Sequence, residues 1–391
     1  MTTANTYDVI GIGTGGVGSA AMLHLASRGC RVLGLDRFPG GHDRGSSHGQ
    51  TRIIRLAYFE HADYVPLLRR AYELWSQLEQ HAGRQLYFPV GLLEVGPPDG
   101  VVVPGVLDAA QRHGLSLEHL DRIAMRERFP GFVLPDGCSA YLETNAGYLL
   151  VEECVLAHLA AARKLGAELR VGETVVDWQA TANGVRVRTD KATYHAGKLV
   201  ISAGAWSGKL LADLGIDLRV RRKHLHWYQT ANDLYRADRG GPCFFFEMPD
   251  GYFYGFPQID ALGVKVAEHS GGTVIDDPLH DDKSVEPHDR SRVEAFLSRT
   301  MPGVTRQATR HDVCYYTMSP DEHFIVDRHP AHPHVSFVAG LSGHGFKFTS
   351  VLGEILADFA TTGAISLPIE FLSNTRAGLR GARFFAASGS E

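Results

Sequence analysis

The first 36 residues carry the clearest pattern of apolar and polar positions in the chain. An apolar run over 9–12 leads into a glycine-rich turn, and an amphipathic stretch follows over 20–26. A second apolar run over 32–35 ends on Asp36. Short apolar runs of this kind are typical of buried strands, and the amphipathic stretch is typical of a helix packed on them. The pattern therefore predicts strand, turn, helix and strand, the opening unit of a doubly wound α/β fold.

The glycines of that turn are spaced Gly13-x-Gly15-x-x-Gly18. In such a turn the first glycine allows the tight bend, the second lets the backbone approach a pyrophosphate, and the third lets helix and strand pack closely. The helix N-terminus then faces the phosphates, and Asp36 can accept a hydrogen bond from a ribose hydroxyl. These residues predict a dinucleotide site, because a glycine turn without a ligand would leave Asp36 without a role.

Further elements follow from periodicity. A helix is predicted over 61–80, with a stripe that we interpret as core packing: Val65, Leu68, Tyr72 and Trp75. Later elements up to residue 218 are a strand over 86–96, helices over 100–113, 117–128 and 151–165, an Asn-Gly hairpin at 183–184, and a strand, turn and helix around Gly204. The prolines of the His-rich segment 329–335 predict a loop there, without a metal site.

Residues 220–268 contain four strand candidates rich in aromatic residues, which predict an antiparallel sheet. The predicted fold class is therefore α/β, with a Rossmann-like nucleotide-binding domain interleaved with a second, α+β domain. The nucleotide-binding domain is assigned to 1–85, 145–218 and 310–391, and the substrate domain to 86–144 and 219–309.

Composition narrows the class of protein. Acidic residues outnumber basic ones by 44 to 39, and the net charge of −5 gives no indication of a nucleic-acid partner. The five cysteines are scattered without metal-ligand spacing, which is typical of a reducing cytoplasm. Without a signal-peptide pattern or an apolar run of about 18 residues, we expect a cytoplasmic protein with no membrane contact.

The loop over 39–55 is too long for an ordinary strand-to-helix connection, and it contains Arg44, His48, Arg52 and Arg55. The two last arginines would share a face on a helical turn. The loop is either a solvated basic segment or lines the flavin or nicotinamide end of the cofactor and receives a substrate carboxylate. We favour the second interpretation, because the loop leaves the strand that ends on the ribose-binding acid.

Two further positively charged features are candidates for contact with the cofactor or an anion. Lys265 lies inside a strand between two valines, so it either faces water or presents a fixed charge to the cofactor. The last predicted helix begins near Gly343, His344, Gly345 and Lys347, where its partial positive charge favours an anion.

Four segments resemble the monomeric sarcosine oxidase and N-methyltryptophan oxidase family of flavin amine oxidases. They are GSSHGQTRIIR at 45–55, YFYGFP at 252–257, CYYTMSPDEHFIVD at 314–327 and LSGHGFKF at 341–348. The family's first segment usually reads His-His-Gly-Asp where this chain has Ser47-His48-Gly49-Gln50. A lost histidine and a lost carboxylate could shift that loop or its charge.

The resemblance implies a set of site residues. FAD would be bound by the nucleotide-binding domain and joined through a thioether to Cys314. Arg55 and Lys347 would bind the substrate carboxylate beside Tyr254 and Tyr316, and Lys265 would promote the reaction with oxygen. Catalytic roles would also fall to His48, Arg52, Tyr254 and His344. The cofactor-binding residues would be Gly13, Gly15, Gly18, Asp36, Arg44, Ser46, His48, Thr51, Arg52, Val175, Gly204, Trp206, Cys314, Gly343, Gly345 and Lys347.

The implied activity is oxidation of a secondary amino acid such as sarcosine or N-methyltryptophan. A hydride equivalent would pass to flavin N5, the imine would hydrolyse, and O2 would be reduced to H2O2. The expected partners are a small amino acid and O2, and the expected state is a monomer. The alternatives are a flavin enzyme for a cyclic imino acid or another amine, a nicotinamide dehydrogenase on the same turn, and a non-catalytic flavoprotein.

Overall fold

The computed structural model describes residues 5–379. Residues 1–4 and 380–391, which the sequence assigns to the nucleotide-binding domain, lie outside the described part. In the first half the elements are β1 Thr6–Ile12, α1 Gly16–Ser27, β2 Val32–Asp36, β3 Thr51–Ile54, α2 Val65–Ala82, β4 Tyr87–Phe88, β5 Leu92–Gly96, α3 Val102–His113, β6 Glu118–Leu120, α4 Arg122–Arg128, β7 Ser139–Glu143, β8 Gly147–Leu150, α5 Val151–Lys164, β9 Glu168–Val171, β10 Val175–Thr181, β11 Gly184–Thr189 and β12 Thr193–Ile201.

In the second half the elements are α6 Ser207–Leu210, β13 Arg219–Thr230, β14 Cys243–Met248, β15 Gly251–Phe256, β16 Val264–Glu268, β17 Thr273–Ile275, α7 Pro287–Thr300, β18 Val304–Met318, β19 Ile325–His329, β20 His332–Ala339 and α8 Thr349–Ala360. Two large sheets organise them, and the α/β class is confirmed.

The first large sheet has eight strands and the order β10-β11-β12-β1-β2-β9, with β20 pairing β12 and β19. Strands β12, β1, β2 and β9 are parallel neighbours, which places the carboxyl ends of β1 and β2 at one edge. The predicted strand, turn, helix and strand over 7–36 is confirmed. Helices α1, α5 and α8 pack together on this sheet, since the contacts of α1 are mainly with the other two.

The second large sheet has nine strands in the order β17-β13-β16-β15-β14-β5-β7-β6, with β18 paired to β13. The four strands predicted over 220–268 are β13 to β16, and all their mutual pairings are antiparallel. A small sheet, β3-β8-β4, lies outside both large sheets. The continuous strand β18 crosses residue 310, where a domain boundary was predicted, and the division into two domains stays a prediction.

Several local predictions are wrong. The stretch 117–128 is a strand and a short helix, β6 and α4, and the strand predicted over 86–96 is broken into β4 and β5. The helix expected after Gly204 is reduced to 3₁₀ turns around the four-residue α6. The His-rich segment is the hairpin of β19 and β20, because the prolines take positions whose N–H groups the ladder does not need.

The stripe predicted on the helix over 61–80 is nearly right. That helix begins with a 3₁₀ turn at Ala62–Tyr64 and continues as α2. Val65, Leu68 and Trp75 are buried in the main core, and Tyr72 packs against it half-buried. None of the helices within residues 5–379 is long and apolar enough to span a bilayer.

Candidate active site

The glycine turn between β1 and α1 is built as its spacing predicts. Gly13 has a φ of +88°, and its N–H donates to the carbonyl of Leu35 over 2.9 Å. A Cβ on Gly18 would lie 1.8 Å from the carbonyl oxygen of Gly13, so only glycine lets α1 pack this closely. A Cβ on Gly15 would meet no atom nearer than Ser47 Oγ at 3.7 Å, which leaves the backbone accessible to a ligand.

Asp36 ends β2 beside this turn. One of its carboxylate oxygens accepts hydrogen bonds from the amide of Thr14 at 2.6 Å and from its hydroxyl at 3.0 Å, and the other accepts from the amide of Phe38 at 2.9 Å. These bonds fix the carboxylate at the groove, and the oxygen that accepts only from Phe38 retains acceptor capacity for a ligand hydroxyl.

A groove of about 1450 Å³, including its open side, runs along the carboxyl ends of the parallel strands. It is lined by many of the predicted cofactor-binding residues: Gly13, Gly15, Asp36, Ser46, Arg52, Val175, Gly204, Trp206, Gly343 and Gly345. Sequence reasoning missed Ser202 and Phe346, which also line it. The predicted cofactor-binding residues that are not among its lining residues are Gly18, Arg44, His48, Thr51, Cys314 and Lys347.

A second pocket of about 500 Å³ shares Arg52, Tyr316, Gly343 and Phe346 with the groove. Because four residues line both, the two spaces are adjacent. The predicted substrate residues Arg55, Tyr254, Tyr316 and Lys347 line this pocket, as do Arg52 and His344. Five residues that the sequence did not single out complete its walls: Ile53, Glu60, Leu92, Phe245 and His269.

The Arg55 guanidinium is buried between two carboxylates. Its Nη1 donates to Glu94 Oε1 at 2.5 Å and its Nη2 donates to Glu60 Oε2 at 2.6 Å. Burial opposes the charge of Arg55, but the two glutamates raise its pKa overall. Arg55 is therefore permanently charged, and the two glutamates partly offset its charge.

Lys347 lies on the same pocket, in the 3₁₀ turn that precedes α8. Its ammonium donates to the carbonyl of His344 at 2.9 Å and lies 3.4 Å from the Tyr58 hydroxyl. Burial, followed by the nearby charge of Arg55, lowers the pKa of Lys347 to about 7. Its charge is therefore present in acid and lost as the pH rises through neutrality.

His344 is held at both ring nitrogens. Nδ1 lies 2.5 Å from the Tyr58 hydroxyl and Nε2 lies 3.0 Å from the carbonyl of Glu322. Burial and the charge of Lys347 keep the pKa of His344 well below its usual value. A neutral ring with both nitrogens engaged suits a positioning role better than proton transfer.

The opposite wall of the pocket is aromatic. The hydroxyls of Tyr254 and Tyr316 are 3.4 Å apart, and that of Tyr316 lies 3.3 Å from His269 Nδ1. Burial raises the pKa of Tyr254 to about 12 and lowers that of His269 to about 3. These side chains are neutral near pH 7, so they shape the pocket without adding charge.

Arg52 lies on β3, and the expectation that Arg52 and Arg55 share a helical face is wrong, because the segment is a strand. Its two terminal nitrogens donate to the carbonyls of Thr51 and Ser46, each at 2.9 Å. The solvated-loop interpretation fails for Arg55 and His48, which are buried. It holds for Arg44, which is exposed, pairs with Asp43 at 3.6 Å and lines neither pocket.

Lys265 is buried, so the interpretation that it faces water is wrong. Its ammonium donates to the carbonyls of Gly49 at 2.6 Å and Thr51 at 2.9 Å, and lies 4.6 Å from the centre of the Phe256 ring. Burial, followed by the charge of Arg52, lowers its pKa well below the usual value.

The two replacements in the family motif are structurally accommodated. Ser47 Oγ accepts the N–H of Gly16 at 3.1 Å, at the start of α1. Gln50 adopts a φ of +74°, accepts from the Trp227 indole at 3.0 Å and donates to Asp260 at 2.5 Å. Gln50 thereby fixes the two backbone carbonyls on either side of it that hold Lys265.

Cys314 is 1% exposed and lies on β18 opposite Lys223. It does not line the groove, but the next three residues, Tyr315 to Thr317, do. Burial opposes the charge of Arg52. The electrostatic interaction with Cys314 is the largest of the effects that raise the pKa of Arg52. The thiol is therefore near the groove and near a permanent cation.

The residues present fit FAD. The glycine cradle leaves its backbone open, Asp36 stands at a strand end, and a cationic pocket adjoins the groove. His48 Nε2 is buried near this junction without a hydrogen-bond partner among the described residues. Within residues 5–379 no group of three or more His, Cys, Asp or Glu side chains is arranged to hold a metal ion. In the His-rich hairpin, His329 instead pairs with Asp213 at 2.8 Å.

Comparison with known proteins agrees with this geometry. The FAD dependent oxidoreductase family model matches residues 8–359. The chain is 44% identical to a monomeric sarcosine oxidase of Streptomyces avermitilis, covering 93% of this chain and 96% of that one. It is 38% identical to an N-methyl-L-tryptophan oxidase of Yersinia pestis, covering 95% of this chain and 99% of that one.

Among solved structures, the open form of NikD, described as an unusual amino acid oxidase essential for nikkomycin biosynthesis, superposes with a TM-score of 0.84 at 26% identity. The superposition covers 95% of this chain and 98% of that one. The nicotinamide alternative is thereby overturned. The chain belongs to the FAD dependent oxidoreductases, in the family of the monomeric sarcosine and N-methyltryptophan oxidases.

Proposed function

We propose that this protein oxidises the C–N bond of a secondary, N-methylated amino acid such as sarcosine or N-methyltryptophan. The observation that carries the proposal is that the nucleotide groove shares four lining residues with an adjacent pocket holding Arg55 and Lys347. A small zwitterionic substrate is recognised most simply by cations at its carboxylate and by neutral aromatic walls around its amine. The names of the relatives support the same substrate class.

Bound FAD would supply the hydride acceptor for the substrate carbon and, with O2, the route to H2O2, while the imine product hydrolyses in water. The groove residues that would hold FAD are Gly13, Gly15, Asp36, Val175, Gly204 and Trp206 at one end and Ser46, Arg52, Gly343 and Gly345 towards the pocket.

The chain's own contribution is positioning and fixed charge. Arg55 and Lys347 hold the substrate carboxylate, so that the amine lies towards Tyr254 and Tyr316. These hydroxyls and His269 stay neutral, which favours a substrate amine with a free lone pair over an ammonium ion. His344 fixes Tyr58 and Lys347 from behind, and the aromatic walls exclude water from the reacting end.

Two further roles are proposed for buried residues. Cys314 would carry the thioether to the flavin, because it lies beside the groove-lining residues Tyr315 to Thr317 and near the permanent charge of Arg52. Lys265 would place its amino group, held by the carbonyls of Gly49 and Thr51 in the same loop as His48, where O2 is reduced. We also propose a monomeric protein that acts in the cytoplasm, as the composition predicts.

The purified protein tests the proposal directly. We expect a yellow protein that keeps its colour in the acid-precipitated pellet and releases peroxide with at least one N-methylated amino acid, a signal removed by catalase. Flavin that no amine bleaches would favour the non-catalytic alternative. Turnover only of cyclic imino acids would support that alternative substrate class.

A further inference from the structure

A buried glutamate on β5 is directly attached to the carboxylate-binding cation. Alternation along β5 puts Glu94 on the same face as Leu92, and Leu92 lines the substrate pocket. Leu93 and Val95 belong to a different hydrophobic cluster on the other face. Glu94 therefore lies directly behind the pocket wall, although it sits in the otherwise apolar strand sequence LLEVG.

The contacts of Glu94 are incomplete. It is 0% exposed, its Oε1 accepts from Arg55 at 2.5 Å, and its Oε2 has no partner within the described residues. Burying a carboxylate with one unsatisfied oxygen costs free energy. The ion pair with Arg55, the single cationic partner of Glu94, must offset that cost. Glu94 holds Nη1 of the Arg55 guanidinium, and Glu60, which itself lines the pocket, holds Nη2.

Charges of both signs surround Arg55. The cations of the pocket are Arg52, Arg55 and Lys347, and the acids paired with Arg55 are Glu60 and Glu94. On the adjacent strand β7, Glu143 accepts the amides of Leu56 and Ala57 at 2.7 and 2.8 Å. The remaining ionisable neighbours are neutral near pH 7: Tyr58, Tyr254, Tyr316, His269 and His344.

We propose that Glu94 is a specificity-determining residue: it anchors Arg55 from behind and, when ionised, offsets the charge that would otherwise attract the substrate carboxylate. This inference rests on the proposed carboxylate-binding role of Arg55 and Lys347. It predicts that the pocket discriminates less between a carboxylate and its uncharged amide or ester when Glu94 is charged than when it is neutral.

The ionisation of Glu94 gives the effect a pH window. Burial, opposed by Arg55 and reinforced by Glu143, raises the pKa of Glu94 to about 8. Below that pH the carboxyl is neutral and Arg55 presents its full charge. Above it, the ionised Glu94 repels an incoming carboxylate at the same time as Lys347 loses its proton.

Titration calorimetry of the flavin-loaded protein tests the proposed effect of Glu94 on carboxylate binding. The ligands are acetate and its uncharged counterpart acetamide. At pH 9 we expect Glu94→Gln to bind acetate at least about tenfold more tightly than the unsubstituted protein, as removal of a charge several ångströms away implies. At pH 6.5 the two proteins should agree within about twofold, and acetamide should bind both alike at either pH.

Glu94→Asp keeps the charge and serves as the matched control, which should show no tightening. Equal acetate affinities of the unsubstituted and Gln proteins at pH 9, or equal tightening by the Asp variant, would overturn the proposal, as would a pocket that binds no acetate. Acetate binding as expected in a protein that oxidises no amino acid would refute the proposed function and leave the role of Glu94 standing.

Discussion

Arg55 and Lys347 lie over the same aromatic ring. The guanidinium carbon of Arg55 is 4.6 Å from the centre of the Tyr58 ring, and the Lys347 ammonium is 5.0 Å from it. The two cations come from opposite ends of the chain and meet on one pocket. Because the faces of an aromatic ring attract cations, the shared Tyr58 ring helps two like charges to remain close in a buried site.

Arg55→Ala should weaken carboxylate substrates selectively. The loss should be about 2 to 5 kcal/mol in kcat/KM, because a desolvated charge pair is removed. The measurement compares peroxide production from an N-methyl amino acid and from its amide. Arg44→Ala is the matched control, since Arg44 is exposed and lines neither pocket. Equal losses for the acid and the amide would argue against carboxylate recognition by Arg55.

Lys265→Met should slow the oxidative half-reaction more than the reductive one. Removal of a preorganised charge of this kind costs about 10²-fold in rate. Stopped-flow measurements of anaerobic reduction by substrate and of reoxidation by O2 separate the two steps. Lys223→Met is the control, because that lysine is also buried and donates to the carbonyl of Ser270 at 2.5 Å. An equal slowing of both half-reactions removes the oxygen role from Lys265.

Cys314→Ala should release the flavin into the supernatant on acid precipitation, because no thioether would retain it. Cys243→Ala is a close control, since Cys243 is buried in the same hydrophobic cluster. That variant should keep its flavin in the pellet. Flavin retained by the Cys314 variant would show that the linkage is elsewhere.

Gly18→Ala and Gly15→Ala should have different consequences. The first substitution forces a Cβ to 1.8 Å from the Gly13 carbonyl, and we expect it to reduce the free energy of unfolding by about 1 to 3 kcal/mol. The second places a methyl group in the open cradle, and we expect near-normal stability with a lower flavin content. Urea unfolding and the flavin-to-protein absorbance ratio measure the two effects. Equal behaviour of the variants would contradict the assigned roles.

Acid should destabilise the fold through buried histidines. Burial lowers the pKa of His158, packed against Trp75, to about 3, so between about pH 3 and 6.5 the unfolded chain binds the extra proton. The free energy of unfolding therefore falls as pH is lowered through 6.5. His158→Gln should reduce that slope by up to about 1.4 kcal/mol per pH unit, measured by urea titration. His195→Gln, at an exposed site, should leave the slope unchanged.

The parts of the fold that the sequence predicts best are those set by local pattern. The turn from Gly13 to Gly18 needs particular backbone conformations, and the spacing of the glycines predicts them. The strands β13 to β16 alternate clearly enough to be recognised. The prolines near His332 predict a loop, because the sequence does not show which N–H groups the sheet leaves unpaired. In the structure this segment is a hairpin.

The site is less predictable because its geometry depends on pairs far apart in the chain. Arg55 and Lys347 were paired only through family resemblance, since nothing local relates residue 55 to residue 347. Glu94 and Glu60, the partners of Arg55, were missed altogether. A single acid in the apolar run LLEVG is the signal that could have indicated a buried ion pair.

The most direct test is an anaerobic titration of the yellow protein with sarcosine, N-methyltryptophan, pipecolate and proline, followed by readmission of air. If the Arg55 and Lys347 pocket presents a secondary amino acid to FAD, at least one N-methyl amino acid bleaches the visible flavin absorbance, and air restores it with one H2O2 formed for each flavin. Flavin absorbance that none of the four compounds changes would contradict the account.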